Sequence, residues 1–278
     1  MILEEKMAEN LIAENAYSLL SLIKEGHDLT VRDDQYEFPS LLDAVKQCRS
    51  KQLRFRLVDS GSFDRFQLEW LLTAGADFFT SDDTSRSFQE LEVLKMSCQK
   101  GGSFLAYFQH QALSPLEGTG SSSISGLLDL GRNGIYVHIS NREMERDIKQ
   151  LQQLAEECHS GGSRLIYYHH GLLDTALQEL GRSGAWIHVS DRSIQSPEDL
   201  SLLLDILKFL RSSGTNLVLY LEQGMDYLNL KDIVAAGAFV FFQKSQLDYR
   251  SPLKELERIA AKRKLDYRAY YLYPTFLP

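Results

Sequence analysis

Short apolar runs alternate with longer amphipathic stretches along most of the chain, and glycines stand where one gives way to the other. In the first kind of run, a glycine precedes an apolar segment that ends in polar residues. Four segments share this form: residues 75–82, 134–141, 184–191 and 237–244. A glycine there suits the end of a helix, because it adopts positive φ without a Cβ clash. Near-continuous apolar runs are typical of parallel strands covered on both faces.

A second kind of run follows the cysteines. Cys48, Cys98 and Cys158 each stand six residues before such a run begins. The runs of this kind are residues 54–61, 104–111, 164–171 and 217–224. The chain therefore carries an internal repeat, and its three cysteines occupy one equivalent position. They are predicted to be separate, buried structural residues and not a metal site.

The stretches between the runs have helical periodicity, as in residues 143–157 with Met144, Ile148, Leu151 and Leu154 on one face. Strand and helix thus alternate, which predicts an α/β fold of serial βα repeats. We expect a (βα)8 TIM-like barrel with an N-terminal helical cap and a C-terminal extension. Two doubly wound sheets of five strands fit less well, since the repeat is in step by two strands. A curved open solenoid stays possible.

Ten strand-like runs are present where a barrel needs eight. The predicted domains are therefore a helical cap with one irregular strand (1–50), the barrel (51–250), and a C-terminal helix with an aromatic extension (251–278). The weak run at 28–33 falls in the cap, and the run at 267–273 in the extension.

Charge and composition exclude several classes of function. The formal net charge is -8, with basic residues scattered, which argues against a nucleic-acid surface. No signal-peptide pattern opens the chain, and no apolar run is long enough to span a membrane. Three distant cysteines suit reduced thiols, so a cytoplasmic location is expected.

Polar residues concentrate at the carboxyl ends of the predicted strands, where parallel α/β folds place their sites. Alternation along the strands predicts a common face for Asp59, Gln109, His169 and Glu222, above a layer of tyrosines. Asp59, His169 and Glu222 are the candidate catalytic residues and the candidate ligands of a divalent metal. Such an ion would activate water or polarise a carbonyl or phosphoryl oxygen, as in a hydrolase.

Further candidates lie beside these residues. Gln109, His110, Asp82, Ser190 and Asp191 are predicted ligand-binding residues. The alternative for the Ser and Asp pairs is capping of the helix that follows each strand.

Lys244, at the last predicted barrel strand, would bind an anion or form a Schiff base in a catalytic role. His138 and His188 align with phenylalanines, which favours a packed layer over a pair of ligands. Residues 113–126 depart from the repeat, and 118–123 would form either a lid over a ligand or a disordered loop.

No motif in the chain defines a reaction. The first hypothesis is an enzyme that acts on a small polar or phosphorylated metabolite, with or without a divalent metal as its cofactor. The alternative is a non-catalytic barrel that senses a ligand or binds a protein. A homo-oligomer or a protein partner is expected in that case, with the aromatic tail at 267–276 as a docking strip.

Overall fold

Parallel strands alternate with helices throughout the computed structural model, which describes residues 16–111, 123–142, 146–241, 255–256 and 258–259. Within these residues the strands are β1 Leu29–Arg32, β2 Phe55–Val58, β3 Asp77–Ser81, β4 Leu105–Gln109, β5 Tyr136–Ser140, β6 Leu165–His169, β7 Trp186–Ser190, β8 Leu217–Tyr220 and β9 Phe239–Phe241. The helices are α1 Ala16–Glu25, α2 Phe38–Ser50, α3 Arg65–Ala74, α4 Phe88–Gly101, α5 Ile124–Arg132, α6 Ile148–Ser160, α7 Ala176–Arg182, α8 Pro197–Ser212 and α9 Tyr227–Ala236. The α/β class with TIM-like serial βα units is therefore confirmed.

The chain divides into two compact units, residues 1–137 and 138–278. In the first unit, β1, β2, β3 and β4 pair in parallel in chain order. Helices α1, α2 and α4 pack on β1, β2 and β4. Leu57 of β2 and Phe78 of β3 pair with each other and are completely buried. This is expected for the face that the helices cover.

The second unit repeats this arrangement. Strands β6, β7, β8 and β9 pair in parallel, and α6 and α7 pack on β6 and β7. In β7, Ile187 and Val189 are at most 1 % exposed. Trp186 and His188, which alternate with them along the strand, are only half-buried. The strand therefore has one face against the helices and one face away from them.

Local sequence explains where the helices begin and end. Asp64 begins α3 with a capping box, in which its side chain accepts the Gln67 N–H. Ser196 begins α8 in the same way. Gly75 and Gly237 follow the last helical residue at φ values of 120° and 112°, which is the conformation predicted for the repeated glycines.

The predicted burial of the cysteines is confirmed. Cys48, Cys98 and Cys158 are buried and form no disulfide, and each lies near the carboxyl end of a helix that precedes a second-kind strand. Burial raises the pKa of Cys98 to about 12, so its protonated form is strongly favoured.

One strand falls outside the predicted barrel. Residues 29–32 pair in parallel with β2 over their whole length, so this segment belongs to the sheet of the first unit. The division into cap, barrel and extension, and closure with eight strands, stay predictions. Residues 267–278 lie outside the described residues.

Candidate functional site

A carboxylate or amide at the end of one strand holds the loop after the next strand, and this contact occurs four times among the described residues. We call each such contact a strand-end clamp. The clamping residues directly follow β1, β3, β5 and β7, and they accept hydrogen bonds from the chain after β2, β4, β6 and β8: Asp33, Asp82, Asn141 and Asp191.

The clamp at β7 is the most complete. Asp191 is 5 % exposed, and its carboxylate accepts the backbone N–H groups of Glu222, Gln223 and Gly224 at 2.9, 3.1 and 3.0 Å. Asp82 does the same after β4, since it accepts the N–H groups of His110 and Gln111 at 3.1 and 2.8 Å. These carboxylates therefore fix backbone geometry at the strand ends.

The other two clamps vary the chemistry. Asp33 is completely buried; it accepts the Ser60 N–H at 2.9 Å and the Ser60 hydroxyl. Asn141 uses its amide in both directions, because Oδ1 accepts the His170 N–H at 2.7 Å and Nδ2 donates to the His170 carbonyl at 3.0 Å.

Serines at the strand ends cap the turns that directly follow, whereas the α-helices that come later begin at Ser87, Asp147 and Ser196. The hydroxyl oxygens of Ser81, Ser140 and Ser190 accept the N–H groups two residues later, at 3.3, 3.0 and 3.2 Å. The two residue types therefore have different roles. The serine stabilises the turn after its own strand, and the residue that follows it holds the loop after the next strand.

Three polar side chains converge at the carboxyl ends of β7 and β8, and we call them the Ser190 group. Ser190 donates its hydroxyl to Glu222 Oε2 at 2.9 Å, and Arg192 Nε lies 2.8 Å from the same oxygen. The Arg192 side chain is 60 % exposed and that of Glu222 is 20 % exposed. The group thus presents a cation and a carboxylate at an accessible strand end, with the buried Ser190 hydroxyl bound to the carboxylate.

Asp59 has a different environment, because it forms an internal ion pair. Its two oxygens lie 2.5 and 2.7 Å from Arg86 nitrogens, and Thr80 donates to it at 2.7 Å. Burial disfavours the Arg86 cation, but the hydrogen bonds that it donates to Asp59 outweigh this and raise the pKa of Arg86. Arg86 also pairs with Glu90 of α4 at 2.6 Å, so Asp59 lies on the face that the helices cover.

The expected common face is wrong for Glu222. The register pairs Tyr167 with Ile187 and Leu217, whereas Tyr220 pairs with Ser190. His169 therefore continues the buried face, and Glu222 continues the opposite one. His169 is 7 % exposed, and its Nε2 lies 2.8 Å from the Leu172 carbonyl. Asp59 belongs to the first unit and the other two to the second, so their metal site stays a prediction.

A row of aromatic rings lies on the sheet face of the second unit that points away from the helices. His138 Nδ1 lies 2.9 Å from the Tyr168 hydroxyl, and His188 Nδ1 lies 2.8 Å from that of Tyr220. The rings of Tyr168 and His188 meet edge to face at 4.7 Å. Burial lowers the pKa of His188 to about 3, so this histidine is neutral. The packed layer predicted for His138 and His188 agrees with these contacts.

A second cluster lies at the carboxyl ends of β3 and β4. Among the described residues, one group of three potential metal ligands has its atoms within 4.8 Å of one another: Asp82, Asp83 and His110. Gln109, which was predicted beside them, is 1 % exposed and donates Nε2 to Asp82 at 2.7 Å. Lys244 and residues 118–122 lie outside the described residues.

Sequence reasoning missed two features. It took Asp82 and Asp191 as ligand contacts or caps, although each binds a loop of the next strand. The recurring polar residue one position past each first-kind strand was the available signal. It also missed Arg192, which stands beside the predicted Ser190 and Asp191, although Arg142 at the equivalent position of the preceding copy was a signal.

Comparisons with known proteins give no family for this chain. No protein-family model and no curated protein matches it. In the described ranges, no helix has both the length and the apolar character needed to cross a membrane.

Several solved structures are similar at low identity. The HpcH/HpaI aldolase from Desulfitobacterium hafniense DCB-2 is 12 % identical with a TM-score of 0.34, over 96 % of this chain and 92 % of that one. The tetrameric deoxyribose phosphate aldolase from Aeropyrum pernix is 12 % identical with a TM-score of 0.36, over 93 % and 99 %.

A mandelate racemase/muconate lactonizing protein from Herpetosiphon aurantiacus is 10 % identical with a TM-score of 0.36. It matches over 76 % of this chain and 49 % of its own length, so the chain spans about half of that protein. The α/β assignment rests on the parallel strands and helices of the chain itself.

Proposed function

We propose that the chain binds a small polar or phosphorylated molecule at the carboxyl ends of β7 and β8, through the Ser190 group. The proposal rests on one observation: Ser190 and Arg192 both contact the same oxygen of Glu222. Carboxyl ends of parallel strands are where α/β folds bind their ligands.

Arg192 supplies the anion-binding part of this proposal. A guanidinium carries five N–H donors in a planar fork, which matches the oxygens of a carboxylate or phosphate. Glu222 takes up Nε of Arg192, and the side chain is 60 % exposed. Much of the Arg192 side chain is therefore open to solvent, where an anionic oxygen can reach it.

The clamp beneath the group supports the same function. Asp191 holds the backbone of Glu222, Gln223 and Gly224, so the carboxylate of Glu222 projects from an ordered loop. Contacts carried by rigid backbone lose little conformational entropy when a ligand binds. Glu222 also orients the Ser190 hydroxyl, and in an enzyme it would act as the acid or base toward a ligand hydroxyl.

Ligand-induced stabilisation tests the proposal. Inorganic phosphate, phosphoglycolate and malonate are added to the full chain, and the melting temperature is followed. A ligand at a hundred times its Kd stabilises the folded chain by about 2.7 kcal/mol. We expect at least one probe to stabilise the wild type, and the Arg192→Gln variant to lose most of that effect.

Arg182→Gln is the matched control. The Arg182 side chain is also 60 % exposed and lies 2.8 Å from a glutamate, Glu179, but on α7 away from the strand ends. Its response should equal that of the wild type. If no probe stabilises the wild type, or if both variants respond alike, the Ser190 group is not the binding site.

A non-catalytic ligand sensor or scaffold is the second candidate, and the four clamps favour it. They commit Asp33, Asp82, Asn141 and Asp191 to holding loops, which leaves fewer strand-end groups for chemistry. Incubating the bound probe and following it by NMR separates the two candidates. Conversion that Glu222→Gln abolishes supports an enzyme, whereas an unchanged bound probe supports a sensor. A homo-oligomer or protein partner stays a prediction.

A further inference from the structure

A cluster in the first unit carries ligand chemistry that the Ser190 group does not use. Asp82 and Asp83 open the 3-10 turn after β3, and His110 is the first residue after β4. One oxygen of each carboxylate and one imidazole nitrogen lie within 4.8 Å of one another. His110 Nε2 and Asp83 Oδ2 are 4.0 Å apart, which is too long for a hydrogen bond but suits two ligands of a single ion.

Asp82 is held in place by hydrogen bonds from three groups around the end of β4. It is 8 % exposed, and its oxygens accept the N–H groups of His110 and Gln111 and the amide of Gln109. A carboxylate has about four acceptor positions, so these three bonds leave capacity for a cation. The clamp would thus present Asp82 to an ion without rearrangement.

Gln109 gives an independent indication of a missing partner. It is 1 % exposed, and its Oε1 is buried with no hydrogen-bond partner among the described residues. The orientation of its amide is defined, because Nε2 donates to two acceptors, Asp82 Oδ2 at 2.7 Å and the Gln111 carbonyl at 3.0 Å. The orphan oxygen thus belongs to an amide whose nitrogen contacts the Asp82 carboxylate, and buried polar atoms normally have a partner.

The internal repeat shows that this combination is specific to one clamp. The residue after the clamping residue is Asp34, Asp83, Arg142 or Arg192 in the four copies, in chain order. The residue at the His110 position is Ser60, His110, His170 or Gln223. Only the β3 and β4 copy joins a second carboxylate to an imidazole, while both copies in the second unit carry arginine instead.

We propose that Asp82, Asp83 and His110, with Gln109 Oε1, form a binding site for a divalent transition-metal ion such as Mn²⁺ or Zn²⁺. Two carboxylates, one imidazole and an amide oxygen are ligands that these ions accept, and the imidazole disfavours Ca²⁺. The cation would satisfy Gln109 Oε1 and balance the two carboxylates. The site lies in residues 1–137, so it does not depend on the ligand proposed for the second unit.

Titration with Mn²⁺, followed by the loss of the free-ion EPR signal, tests this site. The full chain is first freed of metal with a chelator that is then removed. We expect one Mn²⁺ per chain, displaced by Zn²⁺. Asp83→Asn and His110→Gln should each weaken binding by at least about tenfold. Their side chains are 62 % and 36 % exposed, so both variants should fold, which circular dichroism checks.

Asp34→Asn is the matched control, because Asp34 occupies the position of Asp83 in the β1 and β2 clamp and pairs with Arg32 at 2.6 Å. Its affinity for Mn²⁺ should be that of the wild type. The proposal is overturned if the wild type binds neither ion. It is also overturned if Asp83→Asn and His110→Gln bind as the wild type does, or if Asp34→Asn weakens binding equally.

Discussion

Asp59 and Arg86 form a two-point ion pair beneath the helices of the first unit, with side chains 0 % and 8 % exposed. Both carboxylate oxygens contact guanidinium nitrogens, at 2.5 and 2.7 Å. The pair is expected to matter for folding, since the loss of Arg86 would leave the Asp59 carboxylate buried without a cation.

Arg86→Leu should therefore lower the free energy of unfolding by about 3–5 kcal/mol, because Asp59 would keep a buried charge. Urea unfolding followed by circular dichroism measures this. Arg182→Leu, which removes an exposed pair, should change it by about 1 kcal/mol or less. Equal effects of the two substitutions would contradict an ion pair that supports the fold.

The strand-end clamps predict a graded response at Asp191. Asp191→Ala removes the acceptor of three backbone N–H groups and should lower the free energy of unfolding by about 1–3 kcal/mol. Asp191→Asn should cost less, because Asn141 performs the same clamp with an amide oxygen. Hydrogen exchange at Glu222, Gln223 and Gly224 should quicken in the alanine variant, and unchanged exchange would argue against the clamp.

Much of the fold could be predicted, because the period of apolar residues and glycines depends on local backbone preference. The strands that end at Gln109, His169 and Ser190 fall inside the predicted runs. Pairing register could not be predicted in this way. Alternation along the repeat predicted Tyr220 on the same face as Tyr167. Backbone pairing places Tyr220 opposite Ser190 and therefore on the other face. An offset of one residue is enough to move a side chain from one face to the other.

The candidate site was harder to predict for a related reason. Whether a strand-end carboxylate binds a ligand or holds the chain depends on N–H groups far along the sequence, 27 residues away for Asp33 and 33 for Asp191. The residue types at the strand ends are the same whether the carboxylate binds a ligand or holds the chain. Only the fold decides which carboxylates, such as Asp83, are left exposed.

The thiols should report burial directly. Burial, with a smaller contribution from Asp28, raises the pKa of Cys48 to about 12, and Cys98 and Cys158 are buried as well. Because the thiolate is the reactive form, we expect none of the three to react with Ellman's reagent in the folded chain at neutral pH. All three should react in guanidinium chloride. Rapid reaction of even one thiol in the folded chain would contradict its buried position.

Two helix glycines pack closely against neighbouring residues, one against backbone and the other against a side chain. A Cβ at Gly101 would lie 2.0 Å from the Leu72 carbonyl oxygen, whereas one at Gly181 would lie 1.8 Å from a Leu210 methyl group. Alanine in place of a helix glycine normally stabilises by about 0.5–1 kcal/mol. Gly101→Ala should instead destabilise by about 1–3 kcal/mol, and Gly181→Ala by less, because the Leu210 side chain can rotate. Thermal unfolding of both variants checks this order.

Acid should destabilise the second unit through His188. Burial lowers the pKa of His188 to about 3, and burial, followed by the neighbouring His188, lowers that of His138. An unfolded histidine titrates near pH ~6.5. Between these values the unfolded chain holds more protons, so the free energy of unfolding falls as pH drops from about 6.5 toward 3 and gains nothing above that range.

Replacing His188 and its partner with the double variant His188→Phe/Tyr220→Phe should reduce this pH dependence, because the folded and unfolded chains then differ by one proton fewer. Urea unfolding at pH values between about 4 and 6.5 measures the slope, and His138 should leave part of it in place. His27→Phe is the control, since the His27 side chain is 60 % exposed and its removal should leave the slope unchanged. A double variant with the wild-type slope would show that His188 is not held neutral by the fold.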